Sequence, residues 1–109
     1  MNEIIDILRK FNQERDWEQY HTPENLAKSI AIEAGELLEC FQWDSEYDKM
    51  ALSDEIADVM LYCLMLSDKM GIDMKQEMLR KIKKNSEKYP VEQCRGSSAK
   101  YDELGTEKP

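Results

Sequence analysis

The sequence predicts an all-α protein, an antiparallel four-helix bundle with an irregular C-terminal tail. Apolar residues recur at intervals of three and four over four separate stretches, which is the period of an amphipathic helix. No stretch alternates apolar and polar residues as a strand would, and neither an internal repeat nor a long linker is present. At 109 residues the chain is short enough for one domain. Since so few helices bury only a thin core, we expect an oligomer.

The first helix is predicted near residues 2–15, and a polar loop at 16–21 follows it. Apolar residues of this helix recur at helical spacing: Ile4, Ile5, Leu8 and Phe11. The second helix starts with a strong signal, because Thr22 suits the N-cap and Pro23 the first helical position. We expect this helix to end near Cys40 or Phe41.

The third helix is predicted over 50–70, after a connection at 42–48, and Gly71 provides its C-terminal cap. Asp73, followed three residues later by Gln76, resembles a capping box that opens the fourth helix. That helix has to end near Lys88, since Pro90 disfavours helical geometry at the residue before it. We therefore expect a helical domain at 1–90 and an extended or partly disordered tail at 91–109.

Two acidic pairs lie within these apolar patterns, Glu33 with Glu36 and Glu55 with Asp58. Residues three apart share a helix face, so we expect all four carboxylates to turn toward the interior. A buried ionised carboxylate costs several kcal/mol unless it is paired, and neither Lys nor Arg shares these stripes. Ligands that are all oxygen suit Mg²⁺, with Mn²⁺ as a substitute. The alternative is that these acids are solvated faces of ordinary helices.

Composition excludes several function classes. A net charge of −8 disfavours binding to a nucleic-acid polymer, which needs a basic surface. Three cysteines without C-x-x-C spacing indicate neither a zinc site nor a disulfide framework. The sequence has no apolar run of membrane-spanning length and no basic leader, so we expect a cytoplasmic protein without a membrane partner.

A basic cluster at the end of the fourth helix and three residues in loops complete the candidate site. Lys81, Asn85 and either Lys88 or Tyr89 fall on adjacent turns and could grip a phosphate, or the lysines could only complement the helix dipole. Trp17 and Trp43 could stack on a planar ligand or cover the core. His21 could serve the same ligand or only a loop hydrogen bond.

The two acidic pairs resemble the E-x-x-E…E-x-x-D signature of the all-α nucleoside triphosphate pyrophosphohydrolases, the MazG-like superfamily. Further segments resemble its dCTP pyrophosphatase branch: ERDWEQYH (14–21), ELLECFQW (36–43), KYPV (88–91) and RGS (95–97). The resemblance runs from about residue 8 to 103, nearly the whole chain. One departure is Leu8, which stands where some dCTP-preferring relatives have histidine, so the resemblance does not imply a strict preference for cytosine.

The resemblance implies Mg²⁺-dependent cleavage between the α- and β-phosphates of a nucleoside triphosphate by a homotetramer, a dimer of dimers. It implies dCTP or a modified dCTP as the substrate. The roles it implies fall into three sets: metal binding and catalysis by Glu33, Glu36, Glu55 and Asp58; phosphate binding by Lys81, Asn85, Lys88 and Tyr89; base and sugar binding by Trp17, His21, Trp43 and Tyr62.

The chemistry expected of such a site is metal-assisted hydrolysis, in which a carboxylate accepts the proton of the attacking water. Glu33 is the candidate for that role because it projects farthest into the apolar stripe. The competing hypothesis is a non-catalytic helical oligomerisation module whose acids form cross-helix salt bridges. A ferritin-like di-iron bundle is disfavoured, because it needs two Glu-x-x-His motifs and the chain has a single histidine, His21.

Overall fold

The computed structural model describes residues 1–43 and 46–96, and these form helices without any strand. The helices are α1 (Asn2–Glu14), α2 (Pro23–Glu39), α3 (Lys49–Lys69), α4 (Met74–Lys88) and α5 (Val91–Cys94), with one 3₁₀ turn at Glu18–Tyr20. The all-α class with four long helices is therefore confirmed. The chain divides into two compact units, Met1–Asp73 and Met74–Pro109.

The ends of α2 and α3 follow the residues that predicted them. Thr22 is the N-cap of α2, and its hydroxyl accepts a hydrogen bond of 3.2 Å from the Asn25 amide. Gly71 follows α3 in the left-handed region, with φ of 69°. The Ile72 amide then donates to the Ser67 carbonyl at 2.8 Å, as in a Schellman motif.

In the first unit, α3 is the central helix. It packs along α2 over much of its length, and α1 packs against it over a smaller area. Leu26 of α2 and Leu64 of α3 form the small core, with 1% and 5% of their surfaces exposed. The acidic pairs lie on these two helices, so the α2–α3 contact positions them.

Many large apolar side chains on the same helices are exposed. Ile32 and Leu38 of α2 and Met60 of α3 each expose half of their surface or more. The thin core agrees with the reason for expecting an oligomer, and the homotetramer stays a prediction. None of the described helices is both long enough and apolar enough to cross a membrane.

The second unit contains α4 and α5. Helix α4 ends at Lys88, two residues before Pro90, as the sequence predicts. The expectation of an extended tail from residue 91 is wrong for Val91–Cys94, because Pro90 serves as the N-cap of a short helix. The physical reason is that proline restricts the residue before it and itself suits the start of the next helix. The rest of the predicted tail, 97–109, lies outside the described residues.

Candidate functional site

Three carboxylates from α2 and α3 meet in one group. Oxygen atoms of Glu33, Glu55 and Asp58 all lie within 4.8 Å of one another. Glu33 and Glu55 are half-buried, and in each the Oε2 atom is buried without a hydrogen-bond partner. Asp58 is exposed, and so is Glu36, which lies beside this group. The expectation that all four acids turn inward therefore fails for Asp58 and Glu36, because their positions are at the solvent edge of the stripes.

The pKa values in this group respond to crowding of like charges. Close interaction with the Glu36 carboxylate, followed by burial, raises the pKa of Glu33 above its ordinary value. Burial, followed by the charge of Glu36, raises the pKa of Glu55. Burial and the charges of Glu33 and Asp58 raise the pKa of Tyr62, which lies one turn after Asp58. Ionisation of these carboxylates is therefore less favourable in the folded chain than in a solvated one.

No cation of the protein offsets that charge within residues 1–43 and 46–96. The ion pairs in this part of the chain lie elsewhere, and none involves Glu33, Glu36, Glu55 or Asp58. This result does not favour the competing hypothesis of cross-helix salt bridges.

The arrangement fits a hard divalent cation. Its donor set consists only of carboxylate oxygens, which are the ligands that Mg²⁺ and Mn²⁺ prefer. Two of these oxygens are buried and unpaired, and buried polar atoms normally have partners. A cation held by Glu33, Glu55 and Asp58, with Glu36 beside them, would supply the missing interaction.

A cavity of about 280 Å³ adjoins this group between α1 and α3. Asp58 belongs to both the acidic group and the cavity wall. Aromatic and imidazole side chains line much of the rest: Phe11, Trp17, His21 and Tyr62. The cavity can accommodate a planar, mainly apolar group, with the carboxylates at one side.

The end of α1 places Trp17 over this cavity. Asp16 has a left-handed backbone with φ of 54°, and the Trp17 amide donates back to the Asn12 carbonyl at 3.0 Å. This is a Schellman motif with aspartate where glycine is usual. The turn brings the Trp17 ring to 5.7 Å from the Phe11 ring in an edge-to-face arrangement. The Arg15 guanidinium covers the Phe11 ring at 3.7 Å.

Comparison with known proteins places the chain in a family. The family described as MazG-like matches residues 28–104, which include both acidic pairs. The chain belongs to the MazG-like family.

MazG-like relatives of known activity support an enzyme. The chain is 36% identical over 114 residues to dCTP pyrophosphatase 1 of Mus musculus and 35% identical to that of Homo sapiens. Each alignment covers 95% of this chain and 67% of the relative. A pyrophosphatase from Archaeoglobus fulgidus has a similar crystal structure, with a TM-score of 0.76 and 46% identity, over 83% of this chain and 92% of that one. These relatives indicate that this MazG-like chain is a hydrolase.

The structure brings some of the predicted site residues of this MazG-like chain together and not others. Trp17, His21 and Tyr62 line one cavity, whereas Trp43 exposes 88% of its surface and does not line it. The four predicted phosphate ligands lie on α4 or directly after it, in the second unit, and all are exposed: Lys81, Asn85, Lys88 and Tyr89. Their role stays a prediction, as does that of Trp43.

Sequence reasoning missed several residues of the cavity wall, among them Phe11, Asn12 and Met65. Phe11 and Met65 follow the apolar patterns of α1 and α3, which suggest core positions. Asn12 is a single polar residue in an amphipathic helix and looks like a surface position, although it is 7% exposed. Its position four residues after Leu8, on the apolar face of α1, was the available signal.

Proposed function

We propose that this protein is a Mg²⁺-dependent nucleoside triphosphate pyrophosphohydrolase. It cleaves between the α- and β-phosphates of a deoxynucleoside triphosphate, dCTP or a modified dCTP, and releases the monophosphate and pyrophosphate. The observation that carries the proposal is the pair of buried, unpaired oxygens, Glu33 Oε2 and Glu55 Oε2, beside an aromatic cavity. The relatives named dCTP pyrophosphatase 1 support the choice of base.

Two roles are assigned to the carboxylates: binding the cation and accepting the proton of the attacking water. Glu55 and Asp58, one turn apart on α3, would hold the cation together with Glu33 and Glu36 of α2. The bound cation, when present, neutralises phosphate charge and makes water more acidic. Glu33 accepts the proton of the attacking water, since its side chain is half-buried and meets the other acids at close range.

The rest of the site binds the nucleotide. Trp17, His21 and Tyr62 enclose the base and sugar in the cavity beside Asp58, and Trp43 adds a further aromatic surface. Phosphate binding is proposed separately for four residues of the second unit: Lys81, Asn85, Lys88 and Tyr89. The active form is a homotetramer, which would cover exposed apolar residues such as Ile32 and Leu38. We place the protein in the cytoplasm.

The test is an assay that separates pyrophosphate from orthophosphate. With dCTP and Mg²⁺ we expect pyrophosphate and dCMP, and chelation by EDTA should abolish both. Glu36→Gln and Asp58→Asn should each lower kcat/KM by about 100-fold or more, whereas Glu39→Gln, an exposed acid near the end of the same helix, should change it little. Release of orthophosphate alone, or full activity in the Asp58 variant, would refute the proposal.

Thermal unfolding distinguishes the enzyme from the non-catalytic module. A cation bound only by the folded state stabilises it, by about 2.7 kcal/mol at 100 times the dissociation constant. We expect Mg²⁺ to raise the Tm of the wild type but not of the Glu33→Gln/Glu55→Gln double variant. A Tm that is the same in Mg²⁺ and in EDTA would instead support the oligomerisation module.

A further inference from the structure

Asn12 is a buried polar residue that the proposed reaction does not use. It is 7% exposed, and among the described residues only Leu26, Leu64 and Ser67 share its degree of burial. The Ser67 hydroxyl donates to the Leu64 carbonyl at 2.8 Å, so that residue is satisfied within its own helix. The side chain of Asn12 instead leaves α1 and contacts α3.

The only described hydrogen bond of the Asn12 carboxamide is a weak one. Its Nδ2 atom donates to the Met65 thioether sulfur at 3.4 Å. Since a thioether sulfur accepts and does not donate, the amide presents Nδ2 rather than Oδ1 to Met65. Across residues 1–43 and 46–96 no group donates to the Asn12 Oδ1 atom. Among the described residues only Glu33 Oε2 and Glu55 Oε2 are fully buried and unpaired, so the Asn12 Oδ1 atom reaches accessible space and can find a partner there.

The unused groups of Asn12 border open space. Asn12 lines the 280 Å³ cavity and also a neighbouring cavity of about 370 Å³ on the other side of His21 and Met65. In the smaller cavity it lies among Phe11, Trp17 and Tyr62. Its amide is thus a hydrogen-bonding group on an otherwise mainly apolar, aromatic wall, next to Asp58.

We propose that Asn12 determines base specificity, by hydrogen bonding to the polar edge of the nucleobase that stacks in this cavity. The inference rests on the proposed function, since it takes the cavity as the base site. A ligand suited to it has apolar faces for the rings and an edge that carries a donor beside an acceptor. A nucleobase has that form, and a carboxamide offers the complementary acceptor and donor.

The direction of the amide toward Met65 determines which base the site should prefer. A 4-aminopyrimidine and a 4-oxopyrimidine have opposite donor and acceptor order along this edge. With Nδ2 directed at Met65, the unpaired Oδ1 acceptor can take a hydrogen bond from a 4-amino group, whereas a 4-oxo group offers it no donor. Sites that pair buried polar groups discriminate more strongly than apolar sites do. The wild type should therefore favour dCTP over dUTP.

The experiment compares Asn12→Leu with Gln13→Leu, which removes an amide from the next, exposed position of α1. We expect Asn12→Leu to lower kcat/KM for dCTP by about 10- to 100-fold and to bring the ratio of kcat/KM for dCTP and dUTP close to one. Gln13→Leu should retain the wild-type ratio. Asn12→Ala, which adds no apolar bulk, should behave like Asn12→Leu, and circular dichroism checks that each variant is folded.

Binding of dCMP and dUMP, measured by tryptophan fluorescence, separates this inference from the proposed function. If the wild type hydrolyses dCTP and both Asn12 variants keep its preference over dUTP, the role of Asn12 is refuted and the proposed function stands. If the wild type hydrolyses no triphosphate, the proposed function fails, and binding decides about Asn12. A preference for dCMP that disappears in both variants supports the inference. A preference that persists in them, or is absent from the wild type, overturns it.

Discussion

Carboxylates near the two ends of α3 have opposite surroundings and opposite pKa shifts. Near its C-terminus, Asp68 accepts two hydrogen bonds from Arg9 of α1, of which the one from Nε measures 2.9 Å. These bonds lower the pKa of Asp68 against the effect of burial. Nearer the N-terminus, Glu55 has no cationic partner, and burial with the charge of Glu36 raises its pKa.

The difference separates an acid that the fold pairs with a cation from acids that the fold leaves without one. Arg9 and Asp68 satisfy each other and join α1 to α3, so this pair needs nothing from solution. The acids near the N-terminus of α3 repel one another and leave two oxygens unpaired. Such a group is stable only with protons or an external cation. Three measurements can test this contrast.

The largest effect is expected from Glu55→Gln. This change keeps the shape of the side chain but removes a charge that the metal-free fold accommodates at a cost, so Tm in EDTA should rise. Activity with Mg²⁺ should fall by about 100-fold or more, because an oxygen ligand is weakened. Pyrophosphate release and thermal melts of the same sample measure both. If Glu55→Gln instead lowers Tm in EDTA, the Glu55 carboxylate must have a stabilising partner in the metal-free protein.

An intermediate effect is expected in the pH dependence of stability. Since the pKa values of Glu33 and Glu55 are raised, the folded state binds more protons than the unfolded state above the ordinary value of 4.5. Metal-free protein should therefore lose stability as pH rises from about 4.5 through the raised values. For Asp68 the sign is opposite, and its stabilisation should be lost as pH falls below the ordinary value of 3.8.

Urea unfolding between pH 3 and 7 in EDTA measures this profile. The Glu33→Gln/Glu55→Gln double variant should be flat above pH 4.5, and saturating Mg²⁺ should flatten or invert the wild-type slope. A wild-type stability in EDTA that increases steadily over this range would contradict the raised pKa values.

The smallest effect is expected from Asp68→Asn. The Arg9 side chain is about half exposed, and exposed ion pairs contribute little, so Tm should fall only slightly. Because α1 forms one wall of the cavity, KM should rise by less than about fivefold while kcat stays near the wild-type value. The difference from wild type should shrink in 1 M salt. A loss of kcat comparable to that of Glu55→Gln would remove the distinction between the two ends of α3.

The fold was largely predictable from local signals, and the acidic group from periodicity. Thr22, Gly71 and Pro90 act within one or two turns of themselves, so sequence alone located the helix ends that depend on them. Helical geometry likewise placed Glu33 and Glu55 on the apolar stripes of their two helices, which is why their carboxylates meet.

The cavity was predictable only in part, since it depends on contacts between distant residues. Nothing local to Asn12 indicates that Met65, far along the chain, accepts its hydrogen bond. The exposure of Asp58 could not be read from periodicity either, because the edge of a stripe and its centre differ by a fraction of a turn. For Val91–Cys94 the sequence pattern was too short to show a helical period.

The left-handed residue Asp16 has a further consequence. By reversing the chain after α1, it lets one short, contiguous segment supply Phe11, Asn12, Trp17 and His21 to a single wall. The acids of α2 and α3 contribute only Asp58 to that wall. Under the proposed function, substitutions between residues 11 and 21 would change ligand choice while Glu33, Glu36 and Glu55 are inherited unchanged.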